Sequence, residues 1–206
     1  MKIEAILFDL GKVLVDFDMD SGVRNLFARC SVPRKDFEEI LWDKAWIRSY
    51  ERGEISTEEF HAYLCRTANL AMELSEFCRT WSGIFAPDML VREQVLAALG
   101  QNYPLILVSN TNAAHAEYVR QNYPIFEYFD HHILSYEVGS LKPDARIFHR
   151  AIAAANLPAE ELFFIDDREE NVLAARALGM NAHQFVSEKD LILALRDVGV
   201  DVEDEQ

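Results

Sequence analysis

Short apolar runs alternate along this chain with longer stretches in which apolar residues recur at helical spacing. The runs are Ile3–Phe8, Leu105–Ser109, His132–Leu134, Leu162–Ile165 and Ala182–Val186. They are rich in branched and aromatic residues and mostly stop at a polar or small one, which is the profile of strands buried on both faces. Between them, Met89–Leu99, Asn112–Gln121, Asp144–Asn156, Arg168–Leu178 and Glu188–Val198 carry the spacing of amphipathic helices. The alternation predicts a doubly wound, mostly parallel, Rossmann-like α/β core. Gly100 and Gly179 follow helical patterns, at the position where a left-handed residue ends a helix.

One interval breaks the rhythm. From Asp16 to Trp81 no strand is predicted, only helical pieces near Gly22–Cys30, Arg34–Tyr50, Thr57–Thr67 and Ser75–Ser82. Ser56-Thr57-Glu58-Glu59 has the form of a capping box. A helical segment of about 65 residues is too long for a loop and predicts a subdomain of its own. The expected division is therefore a core of residues 1–15 and 83–206 with an all-helical cap subdomain at 16–82. The aromatic residues Trp42, Trp46, Tyr50, Phe60 and Trp81 are expected to form the core of this insert, leaving one or two to face a cleft. The end, Asp197–Gln206, carries five acids and no base and is expected to fray.

Half the residues are apolar and 27% are charged, as in ordinary globular proteins. Twenty Lys and Arg against 35 Asp and Glu leave a net charge of −15. That balance argues against nucleic acid or an anionic membrane as partner, since both attract a basic face. The apolar runs fall far short of the ~20 residues of a membrane span, and no signal peptide is expected ahead of Glu4 and Asp9. Cys30, Cys65 and Cys78 form no metal-binding or disulfide pattern and read as reduced thiols, so a cytoplasmic protein is expected. The six histidines (His61, His115, His131, His132, His149 and His183) show no metal-ligand spacing and read as surface or helix residues.

Ligands of parallel α/β sheets bind beyond the carboxyl ends of the strands. After the first predicted strand comes Asp9-Leu10-Gly11-Lys12, and the second ends in Ser109-Asn110-Thr111-Asn112. Past the third stands Lys142-Pro143-Asp144, and after the fourth come Asp166-Asp167, with Asn171 a turn later. Each has an ordinary structural reading as a strand exit, helix cap, exposed lysine or solvated turn. Together they form a kit for handling a phosphoryl group with a divalent ion. An aspartate at a strand end can attack phosphorus, and hydroxyl and N–H groups at a helix start seat its oxygens. A lysine neutralises the charge. Adjacent carboxylates repel unless a cation is close, and Mg²⁺ prefers such hard oxygens.

On these four segments the sequence resembles the haloacid dehalogenase superfamily of phosphatases, over essentially its whole length. Three further segments, Glu51-Arg52-Gly53-Glu54-Ile55-Ser56, Val108–Asn112 and Lys142–Ile147, are similar to bacterial α-D-glucose-1-phosphate phosphatases of that superfamily. The resemblance implies Mg²⁺-dependent hydrolysis of a small phosphorylated metabolite such as a sugar phosphate. It implies that Asp9 is nucleophile and metal ligand, and that Gly11 offers its carbonyl to the metal. Ser109 and Asn110 would bind phosphoryl oxygens and Lys142 would steady their charge. Asp167 would be the further metal ligand, with Asp166 behind it or exchanging roles.

The departure is at Gly11, where such phosphatases usually carry a second aspartate as general acid and base. Its loss removes a contribution of ~10²–10⁴-fold, felt less by a sugar 1-phosphate because an anomeric oxygen leaves more easily. Asp16, Asp18 and Lys12 lie nearby but read as structural. Two other classes stay open. A metal-free dehalogenase would use the same nucleophile on carbon, and Asp166-Asp167 speaks against it. A non-catalytic sugar-phosphate-binding protein would have lost turnover along with the second aspartate.

Overall fold

The computed structural model describes residues 2–202. In chain order, strands β1 (Ala5–Phe8) and β2 (Val15–Phe17) lead into five helices: α1 (Met19–Phe27), α2 (Arg34–Leu41), α3 (Lys44–Glu51), α4 (Thr57–Thr67) and α5 (Leu74–Ser82). Then follow β3 (Phe85–Met89), α6 (Glu93–Gly100), β4 (Leu105–Ser109), α7 (Ala113–Asn122), β5 (His131–Leu134) and the single turn α8 (Ser135–Val138). The chain closes with α9 (Ala145–Ala155), β6 (Leu162–Asp166), α10 (Glu169–Ala177), β7 (Asn181–Gln184) and α11 (Glu188–Asp197).

Five strands form a parallel sheet in the order β5-β4-β1-β6-β7. Phe8 at the end of β1 is in register with Leu107 of β4 and Ile165 of β6. The chain builds outward from β1 through β4 to β5, then returns to add β6 and β7 on the other side. The carboxyl end of β1 is thus the switch point where a crevice opens. Successive strand residues point to opposite faces, and both faces are covered. Ile6, Phe8, Leu107 and Ile165 pack with α6, α7 and α11. Leu7, Ile106, Val108 and Phe164 pack with α9 and α10. The expected α/β architecture is what the chain adopts.

The five helices between β2 and β3 have a core of their own, built on Leu26, Phe37, Tyr50, Phe60, Leu64, Phe77 and Trp81. Tyr50 stacks on Phe60 at 4.6 Å and Trp46 on Tyr63 at 4.1 Å between ring centroids. The capping box at Ser56 and Glu59 is fully formed.

Several sequence expectations need correction. The interval starting at residue 16 is not free of strand, because Val15–Phe17 pairs antiparallel with Phe85–Met89. These are short strands containing Asp16, Pro87 and Asp88, so they have no apolar run, and their partners lie about seventy residues apart in sequence. The helix expected from Met89 starts only at Glu93 for the same reason. The helix expected over Arg34–Tyr50 breaks at Trp42-Asp43, where the Asp43 carboxylate caps α3 by accepting from Ala45 N and Trp46 N. Gly179 is left-handed (φ +89°), but Gly100 lies inside α6 and takes no positive φ. The last expected strand is shifted to Asn181–Gln184. At the C-terminal end, Val200 and Val202 are buried in the core rather than frayed, and residues 203–206 lie outside the described ones. Cys30, Cys65 and Cys78 are free. Among the described residues no helix is long and apolar enough to cross a membrane.

Candidate active site

The switch point gathers four strand ends. Asp9 directly follows β1, and its backbone N–H donates to Ile165 O at 2.9 Å, locking it beside β6. One turn after α8, Lys142 reaches inward between β1 and β6. Its Nζ lies 2.8 Å from Asp9 Oδ1 and 2.6 Å from Asp166 Oδ2, and it donates to Val108 O at 2.8 Å. Three acceptors for three protons leave the buried ammonium fully satisfied.

Asp166, the last residue of β6, is buried and accepts three hydrogen bonds. Its Oδ1 accepts from Arg168 N and from Asn171 Nδ2, each at 2.9 Å, while Oδ2 takes Lys142. Asp167 beside it is half-buried, and its carboxylate makes no side-chain hydrogen bond among the described residues. Asp9, Asp166 and Asp167 each present an oxygen within 4.8 Å of the others, a set that could hold a metal ion. Burial pushes the Asp9 carboxyl up to about 7, with Lys142 opposing and Asp166 adding to the rise. Asp167 is raised too, first by desolvation and then by Asp166. Carboxylates this crowded and dry lack positive charge. Asn171 Oδ1, buried and without a partner, is a further oxygen donor in the same wall. A hard divalent cation fits this donor set.

At the strand end after Ser109, one residue has a structural duty as well. Asn110 spends both amide atoms on the Lys142 backbone, donating to its O at 2.9 Å and accepting from its N at 2.7 Å. It therefore secures the lysine, and one Nδ2 proton stays uncommitted among these bonds. The Ser109 hydroxyl makes no hydrogen bond among the described residues and lines the cavity. Asn112 is the residue that caps α7, accepting from His115 N at 3.0 Å.

These groups line a cavity of about 240 Å³, small-molecule in scale, closed on the far side by Met19, Trp42, Ile47, Glu51 and Trp81 of the helical insert. Gly11 is in the wall as well. A Cβ placed there would meet the Phe17 ring at 2.7 Å, so the ring occupies the space a side chain would need. Lys12 is in the same wall and pairs with Asp16 and Phe17 O. Asp18 caps α1, accepting from Ser21 N. The structural reading of these three residues thus stands.

Three wall residues were given no role from the sequence. His115, read as a surface or helix residue, lies on α7 and is buried between Trp81 and Phe85. Its Nε2–H donates to Trp81 O and its Nδ1 accepts from Asn112 Nδ2, each at 3.1 Å, and burial holds it down to about 4. It is a neutral packing group. Arg168 and Glu51 also line the cavity; a lone charged residue on a helical pattern carries no signal of which way it faces.

The comparisons with known proteins follow this geometry. A model of the haloacid dehalogenase-like hydrolase family matches residues 3–179. D-ribitol-5-phosphate phosphatase of Bacteroides thetaiotaomicron is 29% identical over 189 residues, covering 88% of this chain and 91% of that one. Sesquiterpene phosphatase astK of Aspergillus oryzae is 27% identical over 178 residues, covering 86% and 87%. Among solved structures, a Bacteroides thetaiotaomicron enzyme in complex with magnesium and inorganic phosphate superposes with a TM-score of 0.76 at 27% identity, covering 90% of this chain and 95% of that one. The fold, the strand-end carboxylates and these matches agree: the chain belongs to the haloacid dehalogenase-like hydrolases, enzymes whose named relatives here include phosphatases.

Proposed function

We propose that this protein is a Mg²⁺-dependent phosphomonoester hydrolase acting on a small sugar or polyol phosphate, glucose 1-phosphate first among the candidates, through an aspartyl-phosphate on Asp9. The observation that carries the reading is the Lys142 ammonium held between Asp9 and Asp166, with Asp167 facing the same cavity unpartnered.

In this reading Asp9 attacks phosphorus in line, forming its O–P bond as the bond to the leaving oxygen breaks, and water then cleaves the acyl phosphate. Lys142 balances the charge of nucleophile and phosphoryl group, and the Ser109 hydroxyl donates to a phosphoryl oxygen. Asp9, Asp167 and the Gly11 carbonyl would hold the metal, with Asp166 behind them because both its oxygens already accept hydrogen bonds from the protein. The ion, when bound, supplies positive charge against the phosphoryl oxygens. Residues 16–82 would act as a cap, contributing substrate contacts and excluding water from the cleft. The relative named for a polyol 5-phosphate supports the substrate class and argues for including open-chain esters in the test.

That test is phosphate release from sugar 1-phosphates, sugar 6-phosphates and ribitol 5-phosphate, with and without Mg²⁺, for the native chain and Asp9→Asn. Metal-dependent turnover lost in the variant supports the reading. Turnover that survives chelation, or a folded Asp9→Asn chain working at the native rate, overturns it. The packed Phe17 ring at Gly11 favours one rival, a binding protein without turnover. It would bind the esters and release no phosphate.

A further inference from the structure

We infer that Glu51, carried into the cleft by α3, is the acid and base that replaces the carboxylate missing at Gly11. The inference rests on the phosphatase reading above and deepens it.

Among the described residues lining the cavity, Glu51 is the one acid that the helical insert supplies; the others, Asp9 and Asp167, belong to the sheet. Among the described residues its carboxyl makes no hydrogen bond or ion pair, whereas the other candidates are engaged. Lys12 and Asp16 pair with each other, Asp18 caps α1, and both ring nitrogens of His115 are occupied. Position 11 cannot regain the function locally, because the Phe17 ring fills its side-chain space.

The backbone around Glu51 is built to hold it in place. Its carbonyl accepts from the Ser135 hydroxyl at 2.7 Å, and that hydroxyl in turn accepts from Thr111 N at 2.9 Å, two residues past the end of β4. Two residues on, Gly53 sits at φ +68° against the Tyr136 carbonyl, so close that a Cβ would overlap the oxygen. The segment Glu51-Arg52-Gly53 is therefore docked on the core by contacts that only this backbone geometry permits. The residue it delivers lines the cavity together with Met19, Trp42, Ile47 and Trp81 of the insert.

The electrostatics suit the task. Burial pushes the Glu51 carboxyl up to about 6, opposed by Arg48 and Arg52 from its own segment and Arg168 from the start of α10. Lys12, Lys142, Asp9, Asp167 and the neutral His115 are the other titratable groups in that wall. A carboxyl poised near neutrality exchanges a proton in both directions. In the first step its proton passes to the leaving oxygen as the Asp9 O–P bond forms and the ester O–P bond breaks, giving alcohol and the Glu51 carboxylate. In the second, that carboxylate takes a proton from water as the water oxygen bonds to phosphorus and the Asp9 O–P bond breaks. Glu51 returns to its acid form and inorganic phosphate departs.

The experiment compares the native chain with Glu51→Gln on two esters: the best alkyl phosphate of the panel and p-nitrophenyl phosphate, whose leaving group needs no proton. Expected is a fall of ~10²–10⁴-fold in kcat on the alkyl ester. On the nitrophenyl ester the variant should give a burst of nitrophenolate close to one per site, followed by slow turnover, because the base is missing only from the second step. The ratio of native to variant rates on the alkyl ester should shrink as pH climbs past about 6, where the acid form is depleted. Glu51→Asp, which keeps the carboxyl, should recover part of the loss. Equal losses on both esters without a burst, or a change confined to KM, overturn the assignment while leaving the phosphatase reading intact. A native chain inactive on every ester overturns both.

Discussion

Lys142 Nζ and Asp166 Oδ2 lie 2.6 Å apart with the two side chains 1% and 0% exposed. No solvent can take over from either partner. Lys142→Met should therefore leave Asp9 and Asp166 as crowded, uncompensated carboxylates and cost about 3–5 kcal/mol. That corresponds to a fall in Tm on the order of 10 °C for a chain of this size. A thermal melt reads it directly, and a shift of a degree or less would show that the pair is not stabilising.

Asp166 and Asp167 are neighbours with separate duties. The first has its oxygens taken by Lys142, Arg168 and Asn171; the second faces the cavity. Asp167→Asn should leave the melting curve nearly unchanged and raise the Mg²⁺ concentration needed for half-maximal activity by more than the ~10–100-fold typical of residues that only orient a ligand. Asp166→Asn should show the reverse emphasis, a lowered Tm with a smaller metal effect. A metal titration alongside a melt separates the two, and identical behaviour of both variants is the disproving outcome.

The Phe17 ring 2.7 Å from a hypothetical Gly11 Cβ makes a packing prediction. Gly11→Ala should destabilise the fold by about 1–3 kcal/mol through overpacking. Adding Phe17→Leu should recover part of that loss. Urea midpoints of the two singles and the double give the coupling between positions; strict additivity would mean that the ring moves aside freely.

His115 titrates far below an unfolded histidine, at about 4 against 6.5. Between those values the unfolded chain binds a proton that the folded chain does not. Lowering pH through this window therefore drains stability, and the full contribution is present only above about 6.5. The size is about 2–3 kcal/mol at pH 4 relative to pH 7. His115→Gln keeps polar atoms without a titrating ring, so the native chain's stability lead over it should narrow on going from pH 7 to pH 5. Urea denaturation at the two pH values measures that difference, and a constant gap would mean that the imidazole is not held neutral.

The sheet was legible in the sequence because each central strand is buried on both faces and so must be written as an unbroken apolar run, as in Leu105–Val108 and Leu162–Ile165. The strand-end groups Asp9, Ser109, Lys142 and Asp166-Asp167 were legible because the parallel topology dictates where ligand groups sit. The tie between the Asn110 amide and the Lys142 backbone was not legible, since sequence does not reveal that an amide pairs with the backbone of a residue thirty-two positions away. Glu51 and His115 stayed hidden because a helix presents one of several faces, and which face meets the cavity depends on how the insert docks. The β2–β3 ribbon was missed because two mixed-polarity strands reinforce each other only after the chain has folded between them.

That ribbon has a consequence for the insert. Phe17 is paired with Phe85, so the path leaving the sheet and the path returning to it run side by side. Whatever is spliced between them imposes no strain on the spacing of β1 and β4. A change in the length of the intervening helices therefore leaves the strand-end groups of the sheet in place, although in this chain it would also displace Glu51.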